Sequence, residues 1–205
     1  MQIDYCGIRL RDELAQDVED QIRWSTVQTA WANWDAPWET LEELRHFSAE
    51  EFRKKELVRL QKSLPSPRTS LEIEVQGIHI GSVSRYFIDE NYDYINCCDI
   101  REGQSAYCTL GIEINDDAFW GHGIGRKAYA AWILYLREQG IHKFFTQTWS
   151  GNERMIRMAK TVGFEECHRA IDKRLVHGIR YDALTFQLND ARFCAFCARL
   201  SEDQS

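Results

Sequence analysis

The chain has 205 residues, 44% hydrophobic and 28% charged, with 12% aromatic side chains, three prolines and a net charge of −7. Such a mix excludes a mainly disordered chain, and its longest apolar run, Ala128 to Leu136, falls far short of the roughly 20 residues of a membrane span. The negative balance disfavours a dedicated nucleic-acid binder, which needs clustered Lys and Arg, and suits cationic partners.

In chain order, residues 7–12 alternate polar and apolar and predict a first strand; Leu14, Val18 and Ile22 then recur at helical spacing. The segment from Thr40 to Lys62 predicts one long or two shorter amphipathic helices, ended by Pro65 and Pro67. Leu71–Val75 and Ile78–Ile88 predict a hairpin about Gln76-Gly77. Asp89 to Ser105 reads as a long polar loop before a strand over 106–114. Ile124, Ala128, Ala131, Trp132, Tyr135 and Leu136 mark a helix with one buried stripe, stopped near Gly140. A strand over 141–149, a short helix from Asn152 to Thr161 and a second hairpin about His177-Gly178 complete the pattern. The predicted order is β-α-α-β-β-β-α-β-α-β-β, one α/β domain over residues 5–188, with 189–205 as a C-terminal tail.

The N-terminus lacks a basic region followed by an apolar stretch, and seven cysteines without framework spacing suit free thiols, so a reducing, cytoplasmic compartment is expected. Cys194-Ala-Phe-Cys197 lacks two further ligands at zinc spacing, so no metal is expected. Phe193, Phe196 and Leu200 around it suit the packed side of a helix or strand.

The most informative stretch is Trp120-Gly121-His122-Gly123-Ile124-Gly125, which opens onto the amphipathic helix and is followed by Arg126 and Lys127. Glycines at a helix N-terminus leave backbone N–H groups open to an anion at the positive end of the macrodipole. The spacing fails the P-loop pattern, because Arg126 and Ala128 stand where Gly and Ser/Thr are needed. It fails the dinucleotide fingerprint as well, since Arg126 occupies the third glycine position. A purely structural turn remains an alternative at this point.

The same stretch resembles the acetyl-CoA signature of the GCN5-related N-acetyltransferase (GNAT) family. Further on, Asn152 opens a helix ending in Val162-Gly163-Phe164, similar to the family's next motif. Trp34-Asp35-Ala36-Pro37-Trp38 and the closing hairpin look most like the branch of ribosomal-protein N-terminal and spermidine acetyltransferases. The resemblance implies a mixed, mostly antiparallel twisted sheet flanked by helices, with acetyl-CoA as co-substrate. It implies that the backbone of Ile112, Glu113 and Ile114 pairs with pantetheine amides and that Trp120, Gly121, His122, Gly123, Ile124, Gly125 and Arg126 hold the pyrophosphate. Asn152 is implied to contact the pantetheine arm. Trp120 departs from the family's usual Gln or Arg.

Amide formation needs an uncharged amine, a donor for the oxyanion and an acid for the leaving thiolate. The family's frequent Tyr acid falls here on Ala159, and a frequent carboxylate base falls on Gln147. Glu113 is the remaining candidate base, acting through a water; Ser150 and Tyr181 are further acid candidates. Cys167-His168 cannot pair as nucleophile and base, because adjacent strand residues face opposite ways. Direct transfer to a primary amine follows, either a protein N-terminus or a polyamine-like molecule, with a non-catalytic acyl-CoA-binding or regulatory protein as the alternative. Asp35, Glu39, Glu42, Glu43, Glu50, Glu51 and Glu56 beside Trp31, Trp34 and Trp38 suit a cationic acceptor, or form a solvated face. No nucleic acid or membrane is expected as a partner; a homodimer stays open.

Overall fold

Alternating runs of β-branched and aromatic residues become strands of one sheet, and the stripe beginning at Ile124 becomes the helix that covers it. The computed structural model describes residues 1–100 and 105–202; positions 101–104, in the predicted loop, and 203–205, in the predicted tail, lie outside the described residues. The elements are β1 (Gln2–Tyr5), β2 (Ile8–Arg11), α1 (Asp17–Thr26), a 3-10 turn (Thr29–Asn33), α2 (Pro37–Arg45), α3 (Ala49–Arg59), β3 (Ser70–Val75), β4 (Ile78–Ile88) and β5 (Tyr94–Ile95). They continue with β6 (Tyr107–Ile114), α4 (Ile124–Glu138), β7 (Phe144–Trp149), α5 (Glu153–Val162), β8 (Phe164–Val176), β9 (Ile179–Leu188) and α6 (Asp190–Glu202).

The sheet runs β1-β2-β3-β4-β6-β7-β9-β8, with β5 paired to β4. Among the described residues, only β6 and β7 pair parallel, joined through α4. This is the mixed, mostly antiparallel sheet that the resemblance implies. Two particulars differ from the sequence reading, and two more fall within what it left open. Residues 7–12 are not one strand: Cys6 and Gly7 take positive φ (50° and 80°) and turn a hairpin between β1 and β2. Four-residue strands are too short to show a period. Leu14 lies outside α1 and is exposed, and its N–H donates to Asp17 Oδ2 (2.7 Å). The charged stretch over 40–62 divides into α2 and α3, with Ser48 as the N-cap of the second. The predicted tail forms α6, whose Phe193, Phe196 and Leu200 are buried in the main core.

The feature that makes the site is where the β6–β7 ladder stops. Pairing runs only from Cys108↔Phe144 to Leu110↔Thr146, although β6 continues to Ile114 and β7 to Trp149. At that point the buried Tyr129 hydroxyl of α4 lies 2.7 Å from the Leu110 carbonyl oxygen and 2.8 Å from Thr146 Oγ1, which itself donates to Leu110 O (2.9 Å). Hydroxyls therefore satisfy a buried carbonyl at the last paired rung. Beyond it the strands diverge, each held by its outer neighbour: β6 pairs with β4 as far as Ile114↔Gly81, and β7 with β9 as far as Trp149↔Ala183.

Candidate active site

The diverging strands open a cleft of about 1030 Å³. Every residue assigned to the cofactor from the sequence lines it: Ile112, Glu113, Ile114, the whole turn from Trp120 to Arg126, and Asn152. The turn is built for access. Gly121 and Gly123 take φ of 82° and 72°, a left-handed conformation that costs other residues about 1 kcal/mol or more. Among the described residues, no hydrogen-bond acceptor meets the N–H groups of residues 121–126, and Gly123 caps α4 without a side-chain bond. Free amides, the helix dipole and Arg126, Arg154 and Arg157, which line the same cleft, make an environment suited to an anion. Of the two basic residues after the turn, Arg126 lines the cleft and Lys127 does not. Trp120, which departs from the Gln or Arg of the signature it resembles, donates its Nε1–H to Ile114 O (2.7 Å) and fixes the turn against β6. The Arg154 guanidinium stacks between Trp120 and Trp34, 4.4 and 4.3 Å from the two ring centroids.

Asn152 reaches the cleft with its amide already committed. Oδ1 accepts from Met155 N (3.0 Å) and caps α5, while Nδ2 donates to Trp34 O (2.8 Å). Trp149 Nε1 donates to the same carbonyl (3.1 Å). The two bonds pin the segment before α2 over the cleft. Ala36 next to it is held at φ 39°, ψ 54°, an unfavourable conformation before Pro37. Asp35 O accepts from Thr40 Oγ1 (2.6 Å), which completes the anchoring.

That segment delivers Asp35 towards Glu113. Strand alternation holds: Gly125 and Met158 sit beside Ile112 and Ile114, whereas Glu113 lies on the other face, across from Ser82. Burial, then the Asp35 charge, push the Glu113 carboxyl up to about 8 against the opposing hydrogen bond from Asn115 Nδ2 (3.3 Å). Glu72, two strands away in the same row, adds a smaller repulsion. Asp35 is exposed at the cleft mouth as a residue, yet its carboxyl is crowded by the wall. Burial and the charges of Glu39 and Glu43 raise its pKa. The charge of Asp35 thus favours the protonated form of Glu113.

Tyr86 is the residue that the sequence reading missed. Burial and the Asp35 charge raise its pKa, with Arg174 opposing, so its hydroxyl stays protonated; it lies 3.2 Å from Gln147 Oε1. The available signal was the polar alternation Ser82, Ser84, Tyr86 on one face of β4, of which Ser84 and Tyr86 line the cleft. Gln147 serves as a brace, its amide donating to Tyr92 O and Thr185 Oγ1. Ala159 is fully buried and cannot reach the cleft.

Other sequence candidates fall elsewhere. Ser150 Oγ accepts from Asp182 N, Tyr181 packs edge-on to Trp149, and neither lines the cleft. Of the acidic run, only Asp35 and Glu39 line it, together with Trp31, Trp34 and Trp38. Glu42 pairs with Arg45 and His46, and Glu56 with Arg59. Cys167 Sγ lies 3.4 Å from Thr185 O, on an exposed strand. Away from the cleft, Asp17, Asp20 and His79 cluster closely, but Arg11 clamps Asp17 at 2.6 and 2.8 Å and Glu72 takes His79 Nε2 at 2.8 Å. The cluster is an internal ion network.

No helix among the described residues is long and apolar enough to cross a membrane. The family model for the acetyltransferase (GNAT) domain matches residues 8–165. Among curated protein sequences, none matches the chain. Among solved structures, the ribosomal L7/L12 alpha-N-protein acetyltransferase RimL in complex with coenzyme A superposes with a TM-score of 0.65 at 18% identity, over 91% of this chain and 97% of that one. A Salmonella typhimurium protein solved with its cofactor acetyl-CoA gives 0.62 at 20%, over 89% and 94%. A spermidine N-acetyltransferase chimera built in part from the Vibrio cholerae enzyme gives 0.60 at 14%, over 92% and 99%. At these identities the likeness is one of fold.

Proposed function

Because the chain belongs to the GNAT family of acetyltransferases, we propose that it moves an acetyl group from acetyl-CoA directly to a primary amine, with Glu113 as base and Tyr86 as acid. The observation that carries this reading is the meeting, in one cleft, of a turn with unfilled amides and a carboxylate held near neutrality. The residues present fit the co-substrate. Amides of residues 121–126 and the flanking arginines suit a pyrophosphate, the edge of β6 over 111–114 that β7 leaves free suits an amide-bearing arm, and the cleft is of the size of ligand sites, roughly 300–1,000 Å³. Coenzyme A and acetyl-CoA are bound by the two similar structures named above.

Each protein group has one task. Asp35, Glu39 and the tryptophans draw in an amine that is protonated in solution. Glu113, ionised in part of the population near neutral pH, takes the ammonium proton directly or through a water, which frees the nitrogen lone pair. The new N–C bond forms as the C–S bond of the thioester breaks. Tyr86, uncharged, donates to the developing negative charge and gives its proton to the departing sulfur, and the second proton on the acylated nitrogen then passes to the Tyr86 oxygen, directly or through a water, which leaves a neutral amide and restores the hydroxyl. No covalent enzyme intermediate is required. Both a protein N-terminus and a polyamine-like molecule meet these demands.

The test is a thermal-shift titration with acetyl-CoA followed by a thiol-release screen over polyamines, aminoglycosides and N-terminal peptides. Stabilisation with release of free thiol is the expected result. Stabilisation with no release from any amine returns the chain to a non-catalytic acyl-CoA binder, and absence of any shift removes the cofactor assignment.

A further inference from the structure

In the cleft that Asp35, Glu39 and Glu113 line stands a cation that no acid pairs among the described residues. Arg174 on β8 lines the cavity. The register breaks between Ala170 and Arg174, as bulges do when they re-aim a side chain. Ile171 to Lys173 and Leu175 are exposed, whereas Arg174 is half-buried with its guanidinium 4.5 Å from the Trp38 ring centroid. Other arginines of this hairpin have oxygen partners: Arg169 is held by Glu166 and Asp182, and Arg180 donates to Asp172 O. Among the described residues, Arg174 has no carboxylate and no hydrogen-bond acceptor within reach; its guanidinium rests on the Trp38 ring, and its charge acts on Tyr86. The indole beneath has its own vacancy, since Trp38 Nε1 is buried without a partner.

Unfilled donors removed from water are costly, and a planar guanidinium fork matches a carboxylate. Asp35, Glu39 and Glu113 line the same cavity and suit an ammonium group. We propose that the acceptor is an amine that also carries a carboxylate, Arg174 holding the anionic group while the acidic residues hold the nitrogen. The substrate class is then an amino acid, or a peptide N-terminus with an acidic residue. A polyamine would bring like charge against Arg174. The inference rests on the acetyl-transfer reading for which end of the cleft is the acceptor end. Its physical content is that opposite charges at two points orient the amine towards Glu113.

The test compares acceptors with and without the carboxylate. Alanine, leucine and phenylalanine are set against ethylamine, isopentylamine and 2-phenylethylamine, and Asp-Ala amide against Asn-Ala amide, so that free amino acids and peptide ends are separate arms. Thiol release is measured for the wild type, Arg174→Gln and Arg174→Lys, and binding is measured by calorimetry with coenzyme A present. In one arm the acid should be preferred by about tenfold or more in KM or Kd, the size expected of a charge-assisted pair. Arg174→Gln should abolish that preference while leaving the neutral member and coenzyme A affinity unchanged, and Arg174→Lys should restore part of it. Equal treatment of acid and neutral amine by the wild type, an equal loss for both in Arg174→Gln, or spermidine as the best acceptor would overturn the proposal. A carboxylate preference in binding without any thiol release would uphold it while ending the catalytic reading.

Discussion

The two arms of the cleft are made of different material. The cofactor arm is mainly main chain: amides of one short turn, the free edge of β6, and glycines that let a ligand approach. The acceptor arm is side chain, assembled from the segment before α2, from β4 and β6, and from β8. A main-chain site tolerates replacement of side chains, as Trp120 illustrates, and is broken by added bulk. A side-chain site is broken by altering a single charge. The comparison can be tested at each arm in turn.

The largest effect is expected in the acceptor arm. Glu113→Gln removes the base and should lower kcat/KM by about 10²–10⁴-fold, the range for general-base catalysis, while acetyl-CoA affinity is unchanged. The same substitution should raise the melting temperature. The folded protein keeps a proton on Glu113 up to about pH 8, whereas the ordinary value is 4.5. Between those values the folded state binds the proton that the unfolded state has released, so the group's contribution to stability falls as pH rises. Melting temperatures of wild type and variant should therefore converge towards pH 4.5 and separate towards pH 8. A variant that loses activity and is also less stable at pH 8 would mean that Glu113 is a structural residue.

The cofactor arm should respond to bulk. Gly125, in the first turn of α4, has ordinary backbone angles, and a Cβ there would stand 3.3 Å from Met158 Sδ and 3.5 Å from Ile114 Cδ1. Gly125→Val places further methyls in the cleft, where the charge-assisted bonds they displace are worth roughly 1.5–3 kcal/mol each. Coenzyme A affinity should fall by about tenfold or more, with little loss of thermal stability, since valine is the better helix former. Unchanged affinity would place the pyrophosphate elsewhere.

This contrast also sets how much could be read from the chain. The cofactor arm was legible because its information is local: Gly121, Gly123 and Gly125 stand together, and one strand-to-helix turn accounts for all three. The hairpin turns at Gln76-Gly77 and His177-Gly178 were legible for the same reason, with a positive φ at each residue. The acceptor arm was only half legible. Trp31, Trp34, Trp38, Asp35 and Glu39 form one segment, but nothing local reveals that Asp35 meets Glu113, far along the chain. Tyr86 and Arg174 read as an ordinary strand tyrosine and a hairpin arginine until strand register and a bulge bring them to the cavity. For helix α6, Phe193, Phe196 and Leu200 reveal a packed side, but nothing local reveals that it packs beside α5 and α4.

A smaller effect separates the contributions to the Glu113 pKa. Asp35→Asn removes the nearest negative charge, so the Glu113 carboxyl should fall from about 8 towards the ordinary range, though not to it, because burial is the larger cause. The acid limb of kcat/KM against pH should move to lower pH, with little change in rate above pH 8. An unmoved limb would mean that Glu113 is not the titrating base. A move to higher pH would mean that Asp35 supports ionisation and does not oppose it.

The smallest effect lies at the junction of the two arms. Arg154 touches both, its guanidinium between Trp34 of the acceptor segment and Trp120 of the glycine turn. Each such contact is worth roughly 0.5–1 kcal/mol at an exposed site, so Arg154→Gln should raise KM for acetyl-CoA by a few-fold and leave kcat nearly unchanged. Arg154→Lys distinguishes two roles. If the residue serves only as charge for a phosphate, lysine should restore the wild-type value and the salt dependence of binding with it. If it bridges the two tryptophans, lysine keeps the charge but loses the planar stack, and the variant should remain close to glutamine in low salt. Two contacts at 4.3 and 4.4 Å from the ring centroids favour the bridge. Recovery by lysine would instead make Arg154 part of the anion-binding end alone.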